Sequence, residues 1–282
     1  MTVIIPTSPT IHLAKNMEKK VKVLYLEGNK DGKRSFPDGE LYTRVPVEKI
    51  GPEENVVVLH SGQPNPNEGL VELYSVIYAL EEEAIRPKLF FSYFPYSRQD
   101  KVFKTGEPNM TRKLLEDLSE HSEEIYIIDF HSNEDWVEKL GIKKVSAVSL
   151  LKQRVEKTYG QLEYFSPDKG GEKRTDIKGA EKDRNGSRKV EIKLSREDKK
   201  RAKGKNAAVL DDIISTGKTM CNTYKELKSA GAKKIIAIAT HGVLPEGIER
   251  VKNTYDDLIL ANTINRKEAN VNVSPLILKE IR

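Results

Sequence analysis

The chain reads as an α/β protein with largely parallel sheets, and three observations carry that reading. Short apolar runs suited to strands alternate with amphipathic stretches suited to helices, the order that builds βα repeats. The length of 282 residues favours two domains over one. A pattern from the first half also returns in the second. Asn55-Val-Val-Val-Leu59 leads through a polar loop and a helix to a strand at Lys88. Asn206-Ala-Ala-Val-Leu210 leads through the same succession to a strand at Lys234. A duplicated α/β domain follows, with its seam near Gly141–Val145 and domains at 1–143 and 144–282.

Each element has its own signal. Val21–Leu26 is an early strand, and Asn55–Leu59 a buried one. Leu70, Leu73, Ile77 and Leu80 recur at helical spacing and mark an amphipathic helix to about Glu83. Lys88–Tyr93 is a strand, Thr111–His121 a helix and Glu124–Phe130 a strand. Further on, Ala207–Leu210 is a strand and Lys218–Ala230 a helix stopped by Gly231. Ile235–Thr240 and Leu258–Ala261 are the last strands.

Composition excludes several classes. The single cysteine, Cys221, leaves no internal disulfide framework and no Cys-rich metal site. No run approaches the roughly 18 apolar residues of a membrane span, and Met1–Thr10 lacks the layout of a secretory signal. A soluble, cytoplasmic protein with no membrane partner is expected. The net charge of +5 is too small to imply nucleic-acid binding. Its location says more. Residues 168–205 hold fifteen Lys/Arg and eight Asp/Glu, a local net of +7, so the rest of the chain nets −2. That stretch is glycine-rich and poor in apolar residues, which suits either a solvated insertion or a mobile loop closing over a polyphosphate.

Residues 209–219 give the most specific local signal: Val-Leu-Asp-Asp-Ile-Ile-Ser-Thr-Gly-Lys-Thr. A strand ends in two carboxylates, a hydroxyl-rich turn with glycine follows, and a helix begins. The N–H groups of Ser215–Thr219 suit a monophosphate at the helix start. Asp211 and Asp212 suit the vicinal hydroxyls of a sugar or a bridging Mg2+. A nucleotide P-loop needs glycine five residues before Gly217, where Asp212 stands, so that reading fails. The stretch closely resembles the phosphoribosyl diphosphate-binding signature of type I phosphoribosyltransferase folds.

Four other segments narrow the choice. Phe36-Pro-Asp-Gly-Glu40 sets an aromatic before two carboxylates at a turn. Tyr93-Phe-Pro-Tyr-Ser-Arg-Gln-Asp100 gathers Arg98, Gln99 and Asp100, which can hydrogen-bond a purine edge and a phosphate, with Phe36 as a stacking face. Asp129-Phe-His131 ends a strand, where ligands gather in α/β sheets. Ser166-Pro-Asp-Lys-Gly-Gly171 puts a carboxylate before two glycines. In this order the five motifs resemble the ribose-phosphate pyrophosphokinases from Phe36 to about Thr263.

The resemblance implies two duplicated type I phosphoribosyltransferase-like domains. It also implies transfer of the diphosphoryl group of ATP to the C1 hydroxyl of ribose 5-phosphate, with Mg2+ as cofactor. By resemblance, Phe36, Asp38 and Glu40 form an adenine-side hairpin shared between subunits of a homo-oligomer, a dimer or a hexamer. Arg98, Gln99, Asp100 and His131 hold ATP. Asp168, Gly170 and Gly171 form the diphosphate loop, and His131 and Asp168 are the metal contacts. Asp211 and Asp212 take the ribose hydroxyls, and Ser215, Thr216, Gly217, Lys218 and Thr219 the 5-phosphate. The family's mobile catalytic loop carries Lys-x-Arg, matched by Lys182-Asp183-Arg184. Three departures stand out. Lys218 replaces a frequent glycine, only ten residues separate Gly171 from Lys182, and Phe130 replaces a leucine or small residue. His241 reads as structural.

Two other functions share part of this pattern. A phosphoribosyltransferase would need no ATP and shares only the 209–219 signature. A non-catalytic relative, either a regulatory subunit or a sensor binding phosphoribosyl diphosphate and nucleic acid through 168–205, would be expected to lose the catalytic loop or the diphosphate motif, and no DNA-reading element accompanies that stretch. No nucleic-acid partner is expected.

Overall fold

A computed structural model of the chain describes residues 1–132, 134–167, 181–183 and 191–281, with the backbone alone at 181–183 and 191–193. Contacts divide it into two units. Met1–Val145, Thr263–Asn265 and Val273–Arg282 form the first, and Ser146–Asn262 with Arg266–Asn272 the second. The chain crosses to the second unit after Val145, and its far end returns to the first.

In the first unit the elements run β1 (Thr2–Pro6), α1 (Ile11–Lys15), β2 (Lys22–Val23), β3 (Asn55–Ser61), α2 (Pro66–Glu81), β4 (Lys88–Tyr93), α3 (Met110–Glu120), β5 (Ile125–Ile128), α4 (Asp135–Lys139) and β6 (Lys143–Val145). The strands form one sheet in the order β2-β1-β3-β4-β5-β6, every pair parallel. Parallel strands covered on both faces read as unbroken apolar runs, and these do. Val3, Ile5, Val56, Val58, Leu89, Phe91 and Ile127 face Leu73, Val76, Ile77 and Leu80 of α2 and Leu115 and Leu118 of α3 in one cluster. The alternate residues Ile4, Val57, Leu59, Phe90 and Ile128 are equally buried. Each such side chain stabilises the fold by roughly 1.5–3 kcal/mol. The expected strand Val21–Leu26 shrinks to Lys22–Val23, an edge strand paired with β1 alone. Short edges of this kind discourage pairing with other chains.

In the second unit follow α5 (Val148–Tyr159), β7 (Glu163–Phe165), β8 (Glu181–Asp183), β9 (Glu191–Lys193), α6 (Arg196–Ala202), β10 (Ala207–Ile214), α7 (Lys218–Ser229), β11 (Ile235–Gly242), α8 (Pro245–Thr254) and β12 (Asp257–Leu260); α9 (Ser274–Glu280) belongs to the first unit. The main sheet runs β12-β11-β10-β7, all parallel, and β8 and β9 pair antiparallel. Val209, Ile214, Leu227, Ala237, Ile248, Val251 and Leu260 fill its core. The sequence repeat now has a structural form. β3-α2-β4 and β10-α7-β11 each join neighbouring parallel strands through one helix. Among the described residues no helix is long and apolar enough to cross a membrane.

Candidate active site

The 209–219 segment of the second unit spans the carboxyl end of β10 and the start of α7. β10 does not stop at Leu210. It pairs with the equally long β11 as far as Ile214 opposite Gly242, so both aspartates sit within the strand. Successive strand residues face opposite ways, and burial alternates accordingly. Asp212 is 4% exposed, with Oδ1 accepting the Ile213 N–H at 3.1 Å. Asp211 is half-buried, with Oδ1 accepting the Asp212 N–H at 3.0 Å.

Ser215, Thr216 and Gly217 then turn the chain into α7, with Gly217 as N-cap at φ +72°. Left-handed backbone disfavours any Cβ, which accounts for glycine here. A glycine cap has no side chain to satisfy the first-turn N–H groups, and that turn holds no acidic residue. The helix start is therefore suited to an anion. Lys218 is exposed and Thr219 half-buried. The buried Tyr255 hydroxyl donates to the Met220 carbonyl at 2.6 Å, and burial pushes that phenol well above its ordinary range, so it stays a donor. His241 is 2% exposed on β11, opposite Ile213.

In the first unit β4 and β5 are parallel neighbours, so the loops leaving their carboxyl ends emerge together. One carries Arg98, Gln99 and Asp100, and the other His131. The first loop is tied to the start of α3. The Gln99 N–H and the Thr111 hydroxyl both donate to the Tyr96 carbonyl, at 2.8 and 2.6 Å, and Asn109 Nδ2 donates to the Asp100 carbonyl at 2.7 Å. Arg98 and Gln99 are left exposed. Lys101 pairs with Glu134 at 2.9 Å and joins the two loops; that carboxylate raises the Lys101 ammonium above its usual range. Sequence reading missed this pair, because 33 positions separate its members.

Two residues hold left-handed backbone here, Tyr96 at φ +56° and Asp129 at φ +37°. Such strain gathers at ligand sites. Asp129 also explains why β5 ends at Ile128 rather than Phe130, leaving His131 half-buried in the turn beyond.

The Phe36–Glu40 hairpin is closed by the Phe36 N–H to the Glu40 carbonyl at 2.8 Å and the Gly39 N–H to the Phe36 carbonyl at 3.0 Å. Asp38 Oδ1 accepts the Glu40 N–H at 3.1 Å. Tyr42 meets Phe36 edge-on at 5.8 Å, and the Phe36 ring stays 44% exposed. At the hairpin's base Arg34 donates to Glu72 of α2 and, through Nε, to the Tyr42 carbonyl at 3.2 Å. The Ser8 N–H and hydroxyl complete the Glu72 carboxylate at 2.9 and 2.6 Å. A cavity of about 330 Å3 opens beside this cluster, lined by Ser8, Leu41, Asn65, Glu68, Glu72 and Asn265.

Asp168, Gly170, Gly171 and Arg184 lie outside the described residues, and Lys182 lies on β8, where its backbone stands opposite Ile192. Among the described residues no three His, Cys, Asp or Glu side chains gather into a metal cage. Mg2+ does not need one, since it favours a few oxygen donors together with substrate phosphates. Asp100, Asp129 and His131 at the ends of β4 and β5, and Asp211 and Asp212 on β10, offer mostly oxygen donors. Within each unit, taken by itself, those donors fit an ion carried by phosphates.

Comparison with known proteins finds two family profiles in series along the chain. The profile of the N-terminal domain of ribose phosphate pyrophosphokinase matches residues 2–122, and that of the phosphoribosyl transferase domain matches residues 138–276. A ribose-phosphate pyrophosphokinase of Thermococcus kodakarensis is 36% identical over 256 residues, which cover 87% of this chain and 90% of that one. One from Pyrococcus furiosus is 33% identical, with coverage of 95% and 96%. The crystal structure of phosphoribosylpyrophosphate synthetase from Mycobacterium smegmatis superposes with a TM-score of 0.82 at 25% identity, covering 100% of this chain and 97% of that one. With both profiles in series and relatives matched along nearly their full length, the chain belongs to the ribose-phosphate pyrophosphokinase family.

Proposed function

We propose that the residues singled out above carry this family's reaction in the roles the resemblance assigns. The chain is a ribose-phosphate diphosphokinase, moving the β,γ-diphosphoryl group of ATP to the C1 hydroxyl of ribose 5-phosphate and releasing AMP. The C1 oxygen attacks the β-phosphorus. The bond from that phosphorus to the α,β-bridging oxygen breaks, AMP departs with its electron pair, and the hydroxyl proton passes to water.

The observation that carries the site assignment is the course of residues 211–219, two carboxylates followed by a glycine-capped helix start. Asp211 and Asp212 hold the ribose hydroxyls, and Ser215 to Thr219 hold the 5-phosphate. Arg98, Gln99 and Asp100 bind ATP with His131, while Phe36, Asp38 and Glu40 close on the adenine from a neighbouring copy in a homo-oligomer. The 44% exposure of Phe36 supports that last role. Asp168, Gly170 and Gly171 cradle the diphosphate. Phosphoryl-type transfer rests on positioning and charge neutralisation, which Lys182 and Arg184 supply. Bound Mg2+ would neutralise phosphate charge, with His131 and Asp168 as its protein contacts.

Residues 1–143 form the ATP-side domain and 144–282 the ribose-side domain in this reading, with the two profile matches in support, although 263–265 and 273–282 pack in the first unit. The enzyme works in the cytoplasm. The test mixes protein, Mg2+, ATP and ribose 5-phosphate and follows nucleotide products. AMP that forms only with the sugar present is the expected result; ADP, or no product, would overturn the reading.

A further inference from the structure

The turn proposed to seat the 5-phosphate is held by a helix that no motif marked. A Cβ built on Gly247, in the first turn of α8, would overlap the Ser215 carbonyl oxygen. A Cβ on Gly217 would in turn stand 2.7 Å from the Gly247 carbonyl oxygen and 3.0 Å from Val251 Cγ2. One turn further along α8, the exposed Arg250 donates from its guanidinium to the Thr216 carbonyl. The carbonyls of Ser215 and Thr216 are therefore both directed at α8.

In a planar trans peptide the C=O and the following N–H point in opposite directions. Holding those two carbonyls against α8 turns the Thr216 and Gly217 N–H groups away from it, outward from the loop. We propose that Gly247 and Arg250 are positioning residues. Gly247 lets α8 approach the loop closely, and Arg250 fixes the Thr216 peptide, so that the amides are set for the sugar phosphate before it arrives. The proposal rests on reading 215–219 as the 5-phosphate site. In this role both act through the loop and not by contact with the sugar phosphate.

The experiment compares Arg250→Ala, Arg250→Lys, Gly247→Ala and Thr219→Ala by calorimetric titration with ribose 5-phosphate and, separately, with ATP. Losing a preset charge-assisted contact should raise the ribose 5-phosphate Kd about tenfold in Arg250→Ala. Arg250→Lys should recover part of that loss, and ATP affinity should stay within about twofold of the parent in both. Gly247→Ala should weaken sugar-phosphate binding at least as much. Helix propensity alone would make that substitution stabilising, so a lowered melting temperature with unchanged sugar affinity counts against the proposal. If Thr219→Ala weakens ribose 5-phosphate binding while Arg250→Ala and Gly247→Ala do not, the positioning role falls and the phosphate site stands. If Thr219→Ala leaves the Kd unchanged, the phosphate-site reading falls, and the positioning role with it.

Discussion

Arg34 and Glu72 meet at 2.8 Å, a guanidinium from the base of the Phe36–Glu40 hairpin on a carboxylate whose side chain is 6% exposed. The carboxylate also accepts from the Ser8 N–H and hydroxyl. One buried charge thus binds the hairpin, the turn after β1 and helix α2 together.

Removing one partner of a buried pair leaves a charge without its counterpart, at a cost of roughly 3–5 kcal/mol. Arg34 is itself 29% exposed and the Ser8 donors remain, so Arg34→Ala should cost about 3 kcal/mol, the lower end of that range. Urea unfolding measures it. The Michaelis constant for ATP should rise in the same variant while that for ribose 5-phosphate holds. An unchanged urea midpoint would mean that the pair contributes nothing.

His60 is fully buried on β3. Its Nδ1 is 2.8 Å from the Thr7 hydroxyl, and the Phe91 ring stands edge-on at 5.7 Å. Burial lowers its pKa from 6.5 to about 3. Between those values the unfolded chain binds the extra proton and the folded one does not. The contribution is therefore complete above pH 6.5 and is lost as pH falls below it. The slope approaches about 1.4 kcal/mol per pH unit, so stability should drop by about 2 kcal/mol between pH 7 and pH 5. Carboxylates held low by lysines, Glu124 and Glu163 among them, lose their contributions only below their ordinary value of 4.5. Urea midpoints at pH 7 and pH 5 test this, and His60→Gln should flatten the difference.

Gly217 and Gly39 both hold left-handed backbone, at φ +72° and +94°, but only Gly217 has close neighbours. Gly39→Ala should therefore cost the backbone preference alone, about 1–2 kcal/mol. Gly217→Ala adds overlap with the Gly247 carbonyl and should cost more, with a raised ribose 5-phosphate Michaelis constant. Melting temperatures of the two variants decide it; equal losses would show that the α8 contact does not constrain the loop.

Lys182→Ala should lower turnover by about 10³-fold or more while leaving ATP affinity nearly intact, by analogy with arginine fingers worth about 10³–10⁵ in rate. Single-turnover AMP release alongside ATP titration separates the two effects. Near-normal turnover would remove Lys182 from the catalytic role.

Chelating Mg2+ should stop AMP release without moving the melting temperature of the nucleotide-free protein. An ion that arrives on substrate phosphates adds nothing to the empty fold. A marked loss of stability on chelation would point to a structural metal instead.

What could be read in advance follows from how local each signal is. The 209–219 segment carries strand, turn and helix start within eleven consecutive residues, and its chemistry needs no distant partner to be recognised. α2 was visible from Leu70 because its stripe is regular, whereas its true start at Pro66 lies among polar residues and proline. β1 went unseen because it is five residues long and ends in proline, although it pairs with both β2 and β3. β2 was overextended because an apolar run cannot tell an edge strand from a central one. Glu72, Lys101 and Arg250 look like ordinary surface charges on their own segments. Their roles exist only once Ser8, Glu134 and Thr216 have been brought to them.

The far end of the chain lies in the first unit. Ile277 and Leu278 of α9 are buried, and the Thr2 hydroxyl at the start of β1 donates to the Ile281 carbonyl at 3.2 Å. On the ribosome, then, the first unit cannot finish folding until residues 273–281 have emerged, and the second unit is synthesised in the interval. Nascent chains halted before that point should leave the surroundings of Leu13, whose carbonyl accepts from the Ser274 hydroxyl, open to chaperones, however complete the 215–219 loop already is.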